Sequence, residues 1–386
     1  MHILIAPNAF KNSLTAQEAA KAIEVGLTQS NLNFTSHLFP IADGGDGTGR
    51  LLLDKCDGIF VKAIVNDPLC RKIQSSFGLI DNGKTAVIEM ADASGLCLLQ
   101  AEECNPLLAT SFGTGELIKL ALDHDVSKII LAMGGSATVD GGSGILRALG
   151  IRFLNAKNET LSQTEELIDL DAIDFSQLDK RIANCEIVIL CDVDNKLSGD
   201  EGAARVFGPQ KGASPEDVTK LEYILSKMAD VVLAHTGKDM NAVQHGGTAG
   251  GAAAGLYAFL NAKLVKGAEY FLDLTGFNQV LEKADLIITA EGSIDEQTLQ
   301  GKGPFVVALK AKDKNIPVIG LAGKVPVTRS LKLQQYFDVL LPIGNQPADM
   351  DAAIKATALN LIRTSTEIGN LLVLKQTRTK DSQDLD

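Results

Sequence analysis

Residues 2–27 read HILIAPNAFKNSLTAQEAAKAIEVGL. The apolar run His2–Ala6 stops at Pro7 and Asn8, as a buried strand does on passing into a loop. Thr15 then stands at the N-cap of an amphipathic stretch, with Glu18 three residues on, placed to close a capping box. Strand, loop and helix make half of a βαβ unit, and the chain repeats the pattern. Phe34–Phe39 reads as a strand running into IADGGDGTG. Toward the C-terminus come DLIITAEGS, a helix over Phe305–Lys312, PVIGLAG, DVLLPIG and a long helix from Asp351. This alternation predicts a parallel sheet covered by helices.

The middle of the chain reads differently. Ile59–Val65, Ile73–Ile80 and Thr85–Met90 are strand-like, and Asp81-Asn82-Gly83 between the last two signals a hairpin. SFGTGELIKLAL, KIILAM and EIVILCDVD follow, then the polar stretch GAARVFGPQKGASPED and further helices. The expected fold is α/β with two domains. Both chain ends, residues 1–65 plus 282–386, form a parallel-sheet domain of Rossmann or flavodoxin-like type, and 66–281 forms an inserted mixed α/β domain. The polar tail TRTKDSQDLD is expected to fray. The absence of a 20–50-residue repeat excludes a solenoid.

Composition narrows the function classes. The 386 residues carry 36 Lys+Arg against 48 Asp+Glu, a net charge of −12, and no basic block, which disfavours nucleic acid and anionic membranes as partners. The 6 cysteines (56, 70, 97, 104, 185, 191) form no CxxC pair, which argues against a zinc ribbon or a thioredoxin-like site. MHILIAPNAFKNS has no basic start and breaks its apolar run at Pro7, and Gly246–Leu260 is too short to span a bilayer. A soluble, reduced, cytoplasmic protein is expected. The histidines are scattered without metal-ligand spacing and read as structural.

Chemistry points to the loops. ADGGDGTG, SFGTGE, MGGSATVDGGSG, HGGTAGGAAAG and AEGSIDEQTLQGKG fall mostly at strand ends or helix starts, where unpaired backbone N–H groups suit phosphate. Any one of them alone is an ordinary turn; together they favour a nucleotide or phosphorylated ligand. GxxxxGK[ST] is absent, no GxGxxG follows the first strand, and the protein-kinase motif set is missing. Carboxylates gather in the same places: Asp43 and Asp46, Asp192 and Asp194, Glu291 and Asp295. Phosphoryl transfer to a hydroxyl needs Mg²⁺ on the phosphate oxygens and often a carboxylate to accept the hydroxyl proton. Asp192 and Asp194 directly end the apolar strand EIVIL, where open α/β sheets present functional groups. Lys11, Lys211, Lys302 and Lys324 sit in the loops as candidate contacts to phosphate or a substrate carboxylate.

Taken together, IAPNAFKNSL, PIADGGDGT, KTAVIEMADASGL, TSFGTGELI, GGSATVDGGSG, CDVDN, FGPQKGA, TAGG and EGSIDEQTLQGK make the chain resemble the bacterial type-1 glycerate kinase family, over roughly residues 1–375. The resemblance implies Mg²⁺- and ATP-dependent phosphorylation of D-glycerate, usually at the 2-hydroxyl to give 2-phosphoglycerate, with the active-site cleft between two α/β domains. It implies Asp192 as the base and Gly134, Gly135, Ser136, Thr138, Gly141 and Gly142 as the nucleotide-phosphate loop. Lys11, Asp43, Lys211, Ser293 and Asp295 fall on substrate-binding positions, and Asp46, Asp194 and Glu291 on metal positions. The chain departs from the family pattern at Asn8 and Ala9 (usually Asp and Ser), Val139 (usually Asn), Thr248 (a small residue) and Ser293, where an EGR[IL]D motif normally supplies Arg.

Two other function classes stay open on sequence. One is a catalytically weakened relative that binds nucleotide or sugar acid in a sensing role. The other is a hydroxy-acid dehydrogenase, which the missing dinucleotide fingerprint disfavours.

Overall fold

The structure, a computed structural model, describes residues 1–328 and 330–381. Its strands along the chain are β1 (His2–Ile5), β2 (Thr35–Leu38), β3 (Ile59–Asn66), β4 (Lys72–Ile80), β5 (Thr85–Glu89), β6 (Lys128–Ala132), β7 (Arg152–Leu154) and β8 (Ala172–Asp174). They continue with β9 (Glu186–Cys191), β10 (Lys263–Lys266), β11 (Leu286–Ser293), β12 (Val318–Lys324) and β13 (Val339–Pro342). The chain divides into two compact units, Met1–Asp43 with Ala268–Asp386, and Gly44–Gly267.

The first unit is built on a five-stranded sheet in the order β13-β12-β11-β1-β2, with every pairing parallel. Counted within the unit this is the 2-1-3-4-5 order of flavodoxin-like sheets, whose direction of winding reverses between β1 and β11. At that reversal the loops leaving the two strands diverge and open a crevice at their carboxyl ends. Ile3, Ile5, Ile23, Leu27, Ile288, Leu321 and Leu361 close the core. Each contributes about 1.5–3 kcal/mol of apolar burial. The helix Ala16–Gln29 begins as its sequence dictates: Thr15 Oγ1 accepts from Glu18 N–H at 3.2 Å, and the Glu18 carboxylate accepts from Thr15 N–H at 2.8 Å. The expected single C-terminal helix is two, Met350–Lys355 and Thr357–Asp381. The end of the polar tail, 382–386, lies outside the described residues.

The second unit holds a six-stranded sheet in the order β10-β9-β6-β5-β4-β3. β5, β6, β9 and β10 are parallel; β3 and β4 are antiparallel. The turn Asp81–Gly83 between β4 and β5 has φ of +59°, +53° and +82°, a run that Asp, Asn and Gly accept far more readily than other residues. β7 and β8 pair as a separate two-stranded ribbon.

The unit boundaries differ from the sequence-based expectation of 66 and 281. β3 hydrogen-bonds along its whole length to β4, which draws residues from Gly44 onward into the second unit. The helices between 267 and 281 belong to the first unit: the Phe277 ring meets Phe39 edge-on at 5.1 Å, and Asp273 pairs with Lys310 at 2.8 Å. No helix among the described residues is long and apolar enough to cross a membrane.

Candidate active site

In the second unit, the residues that follow β6 form the loop Met133–Gly142. Asp140, fully buried, organises it. Its carboxylate accepts from Ser111 N–H and Oγ–H (2.9 and 2.7 Å) and from the backbone N–H groups of Gly142 and Gly144 (3.0 and 3.1 Å). Lys211 supports the same loop: its buried ammonium donates to Ser136 Oγ at 2.9 Å and to the Thr138 carbonyl at 2.7 Å. Burial pulls the Lys211 pKa down to about 8, opposed by the nearby charges of Asp140 and Asp192. The Thr138 hydroxyl is buried without a hydrogen-bond partner among the described residues. Such a group costs about 1–3 kcal/mol and is the kind of donor that an arriving anion satisfies.

Gly135 has φ +68°, and a Cβ there would lie 2.2 Å from Asp46 Oδ1. The exposed Asp46 carboxylate therefore rests against the bare face of this glycine. Asp46 precedes the helix Thr48–Lys55, which is capped from a distance: the half-buried Glu89 carboxylate, at the end of β5, accepts from the N–H groups of Gly47 and Arg50. Burial raises the Glu89 pKa.

β9 is the sheet neighbour of β6, and Asp192, exposed, follows its last residue. Asp194 lies 2.9 Å from His245 Nδ1, which also lies 2.9 Å from the Val193 carbonyl. The glycine-rich segment after His245 threads between the two loops. Gly141 N–H donates to the Gly250 carbonyl, and Gly247 N–H donates to the Asn195 carbonyl. A Cβ on Gly250 would stand 2.1 Å from the Thr138 carbonyl oxygen. These glycines serve close backbone packing. SFGTGE likewise lies in the packed helix Phe112–Leu122.

In the first unit, the crevice at the β1–β11 reversal is lined by polar groups. Asn8 Nδ2 donates to Asp43 Oδ2 at 2.8 Å. Glu291, only 6% exposed, accepts from Thr298 Oγ1 at 3.1 Å. Burial pushes its pKa up to about 7; Lys302 opposes this rise, Asp43 adds to it, the Thr298 bond opposes it and Asp295 adds to it. Asp295 caps the turn Glu296–Gln300: its carboxylate accepts from Gln297 N–H, and its own N–H donates to Thr298 Oγ1. Ser293 Oγ is 3.4 Å from Asp295 Oδ2. Lys11 is exposed on the turn after β1.

The glycerate kinase family model matches residues 3–373. The chain belongs to the glycerate kinase family. Among its relatives, glycerate kinase from Haemophilus influenzae is 42% identical over 97% of this chain and 100% of its own length. Glycerate 2-kinase from Escherichia coli K12 is 41% identical over 97% and 98%. A crystal structure of a proposed glycerate kinase 2 from Salmonella typhimurium LT2 aligns with a TM-score of 0.81 at 40% identity, covering 98% of this chain and 99% of that one.

Of the expected residues, the second unit brings together Asp46, Gly134, Gly135, Ser136, Thr138, Gly141, Gly142 and Lys211. Asp192 and Asp194 stand on the adjoining strand end. The first unit gathers Asp43, Glu291, Ser293 and Asp295, with Lys11 on a neighbouring turn. Sequence reasoning missed Glu89, Asp140 and His245. Asp140 stands before Gly-Gly in TVDGGSG, a cap-like signal; Glu89 and His245 act on segments far away in sequence, where no local pattern reaches them.

Proposed function

We propose that the chain transfers the γ-phosphoryl group of ATP to the 2-hydroxyl of D-glycerate, giving 2-phosphoglycerate and ADP. The observation that carries this reading is the loop Met133–Gly142: a buried hydroxyl, Thr138, has no hydrogen-bond partner among the described residues, and a buried lysine links the loop to the neighbourhood of Asp192. ATP phosphates lie along Gly134–Thr138, where Thr138 donates and the bare face of Gly135 lets Asp46 come close to the loop. Asp192 accepts the proton of the glycerate hydroxyl as its oxygen attacks the γ-phosphorus, and the bond to the bridging oxygen breaks to release ADP.

Mg²⁺ suits this donor set. The ion is commonly held by one or two carboxylates together with substrate phosphates. Asp46, its carboxylate against Gly135, would hold it; bound there it would neutralise charge on the phosphate oxygens. Asp194 is engaged by His245, and Glu291 has a pKa raised to about 7, so both are weaker ligands. Lys11, Asp43, Ser293 and Asp295 are assigned to contacts with the polar groups of a ligand at the crevice of the first unit. The net charge of −12 fits small-molecule substrates in the cytoplasm better than nucleic acid.

The test is ADP release with ATP, Mg²⁺ and D-glycerate, with the product resolved as 2- or 3-phosphoglycerate by phosphorus NMR. Asp192→Asn should keep ATP binding and lose about 10²–10⁴-fold in turnover. Binding without turnover in the parent would replace this reading with a sensing role, and nicotinamide-linked activity alone with a dehydrogenase.

A further inference from the structure

We infer that His245 is a positioning residue for Asp192, an inference that rests on the reading of Asp192 as the base. The segment from Asp192 to Leu197 leaves β9 without helix or strand of its own. Its carboxylate must nevertheless be held in place, because a misplacement of about 1 Å can cost on the order of 100-fold in rate. His245 supplies the hold. It is 7% exposed, and its Nδ1 faces two acceptors at 2.9 Å, the Val193 carbonyl and the Asp194 carboxylate. A carbonyl can only accept, so the proton sits on Nδ1. The imidazole thereby fixes both the backbone one residue after Asp192 and the side chain two residues after it. Two residues beyond His245, Gly247 N–H donates to the Asn195 carbonyl at 2.9 Å and extends the clasp.

The backbone of His245 supplies the second half of the argument. Its φ is +64°, in the left-handed region that non-glycine residues adopt uncommonly and that Asn, Asp and His adopt more readily than the rest. Held in this conformation, the ring keeps its Nδ1 donor against two acceptors of the base-bearing loop. The same geometry provides a clean probe. Asn carries its amide nitrogen two bonds from Cβ, where His carries Nδ1, and it tolerates positive φ. Gly tolerates positive φ and has no donor. Comparing the two separates the hydrogen bond from the backbone conformation.

The experiment measures kcat, KM for each substrate and the thermal midpoint for His245→Asn and His245→Gly, each in the parent and in Asp192→Asn. His245→Asn should keep kcat within about twofold, whereas His245→Gly should lower it about tenfold or more with KM for ATP unchanged, measured well below the midpoint of each variant. In the Asp192→Asn background the glycine change should have no further effect on residual turnover, because the carboxylate it positions is gone. Equal kcat in His245→Gly and the parent, equal losses in the Asn and Gly variants, or a full additional loss in the Asp192→Asn background would each overturn the inference. If Asp192→Asn alone retains parental turnover, the assignment of the base fails instead, and the two failures are told apart by that single variant.

Discussion

Replacing Lys211 by Met tests how the phosphate loop is held. The Lys211 ammonium is 4% exposed and donates to Ser136 Oγ and the Thr138 carbonyl. Its pKa falls from 10.5 to about 8, chiefly through burial. At about 1.4 kcal/mol per pKa unit, the charged form costs roughly 3 kcal/mol more in the folded chain than in the unfolded one. Met fills similar volume without that cost, but it leaves a buried carbonyl and a hydroxyl without their donor, at about 1–3 kcal/mol each. The opposing terms are comparable, so Lys211→Met should lie within about 2 kcal/mol of the parent at pH 7. The pH dependence decides. Between pH 8 and 10.5 the native state has released the Lys211 proton while the unfolded chain still holds it, so the parent gains stability as pH rises through this window. The Met variant lacks this gain, and the difference between the two should grow by up to roughly 3 kcal/mol. Urea unfolding of both proteins at half-unit steps from pH 7 to 10.5 reads it directly. A difference that stays flat would mean that Asp140 and Asp192 hold the proton in place and that burial does not dominate.

Glu291→Gln should show the opposite sign: a folded pKa raised from 4.5 to about 7 makes the parent lose stability as pH rises through that window. The Gln variant, which keeps an acceptor for Thr298, should therefore gain on the parent from pH 5 to 8, and equal urea midpoint gaps at both pH values would refute the assignment. Gly135→Ala places a methyl at φ +68° and 2.2 Å from Asp46 Oδ1, and should weaken ATP binding about tenfold in calorimetry with an unchanged circular dichroism spectrum. Ser293→Arg and Asn8→Asp should together cost less stability than the sum of the two single changes, by about 0.5 kcal/mol or more in a double-mutant cycle; strict additivity would show that the two positions do not share a field.

Much of the architecture was legible because it is written locally. HILIA followed by Pro, the Thr15–Glu18 capping pair and Asp-Asn-Gly after β4 each specify an element within a few residues. The strand EIVIL ending at Asp192 needed only hydrophobicity and position. What escaped was non-local. Glu89 caps a helix that begins 41 residues earlier, and Asp140 binds Ser111, 29 residues away. The glycines of HGGTAGG carry the composition of a phosphate loop, but their tight spacing serves backbone against backbone, which no single sequence distinguishes from backbone against ligand. The unit boundary at Gly44 depends on β3 pairing with β4, a tertiary choice that the glycine-rich stretch before it did not reveal.

Two of the departures that the resemblance implies, at Asn8 and Ser293, both concern charge in the first unit. The family's usual Asp at the Asn8 position would place a second carboxylate within hydrogen-bond distance of Asp43, a contact that requires a shared proton or a neighbouring cation. Asn8 instead donates an amide N–H to that carboxylate at 2.8 Å. The family's usual Arg at the Ser293 position would supply a permanent cation beside Asp295; here Ser293 offers a hydroxyl at 3.4 Å. Relative to the pattern that the resemblance implies, one negative and one positive charge are absent from the first unit. Glu291 feels Asp43 and Asp295 together, and both add to the rise of its pKa that burial causes. Ser293 lacks the fork of donors with which Arg grips an anion, so Ser293→Arg should change ligand affinity more than folding, and a shift in the urea midpoint with unchanged KM for both substrates would refute this.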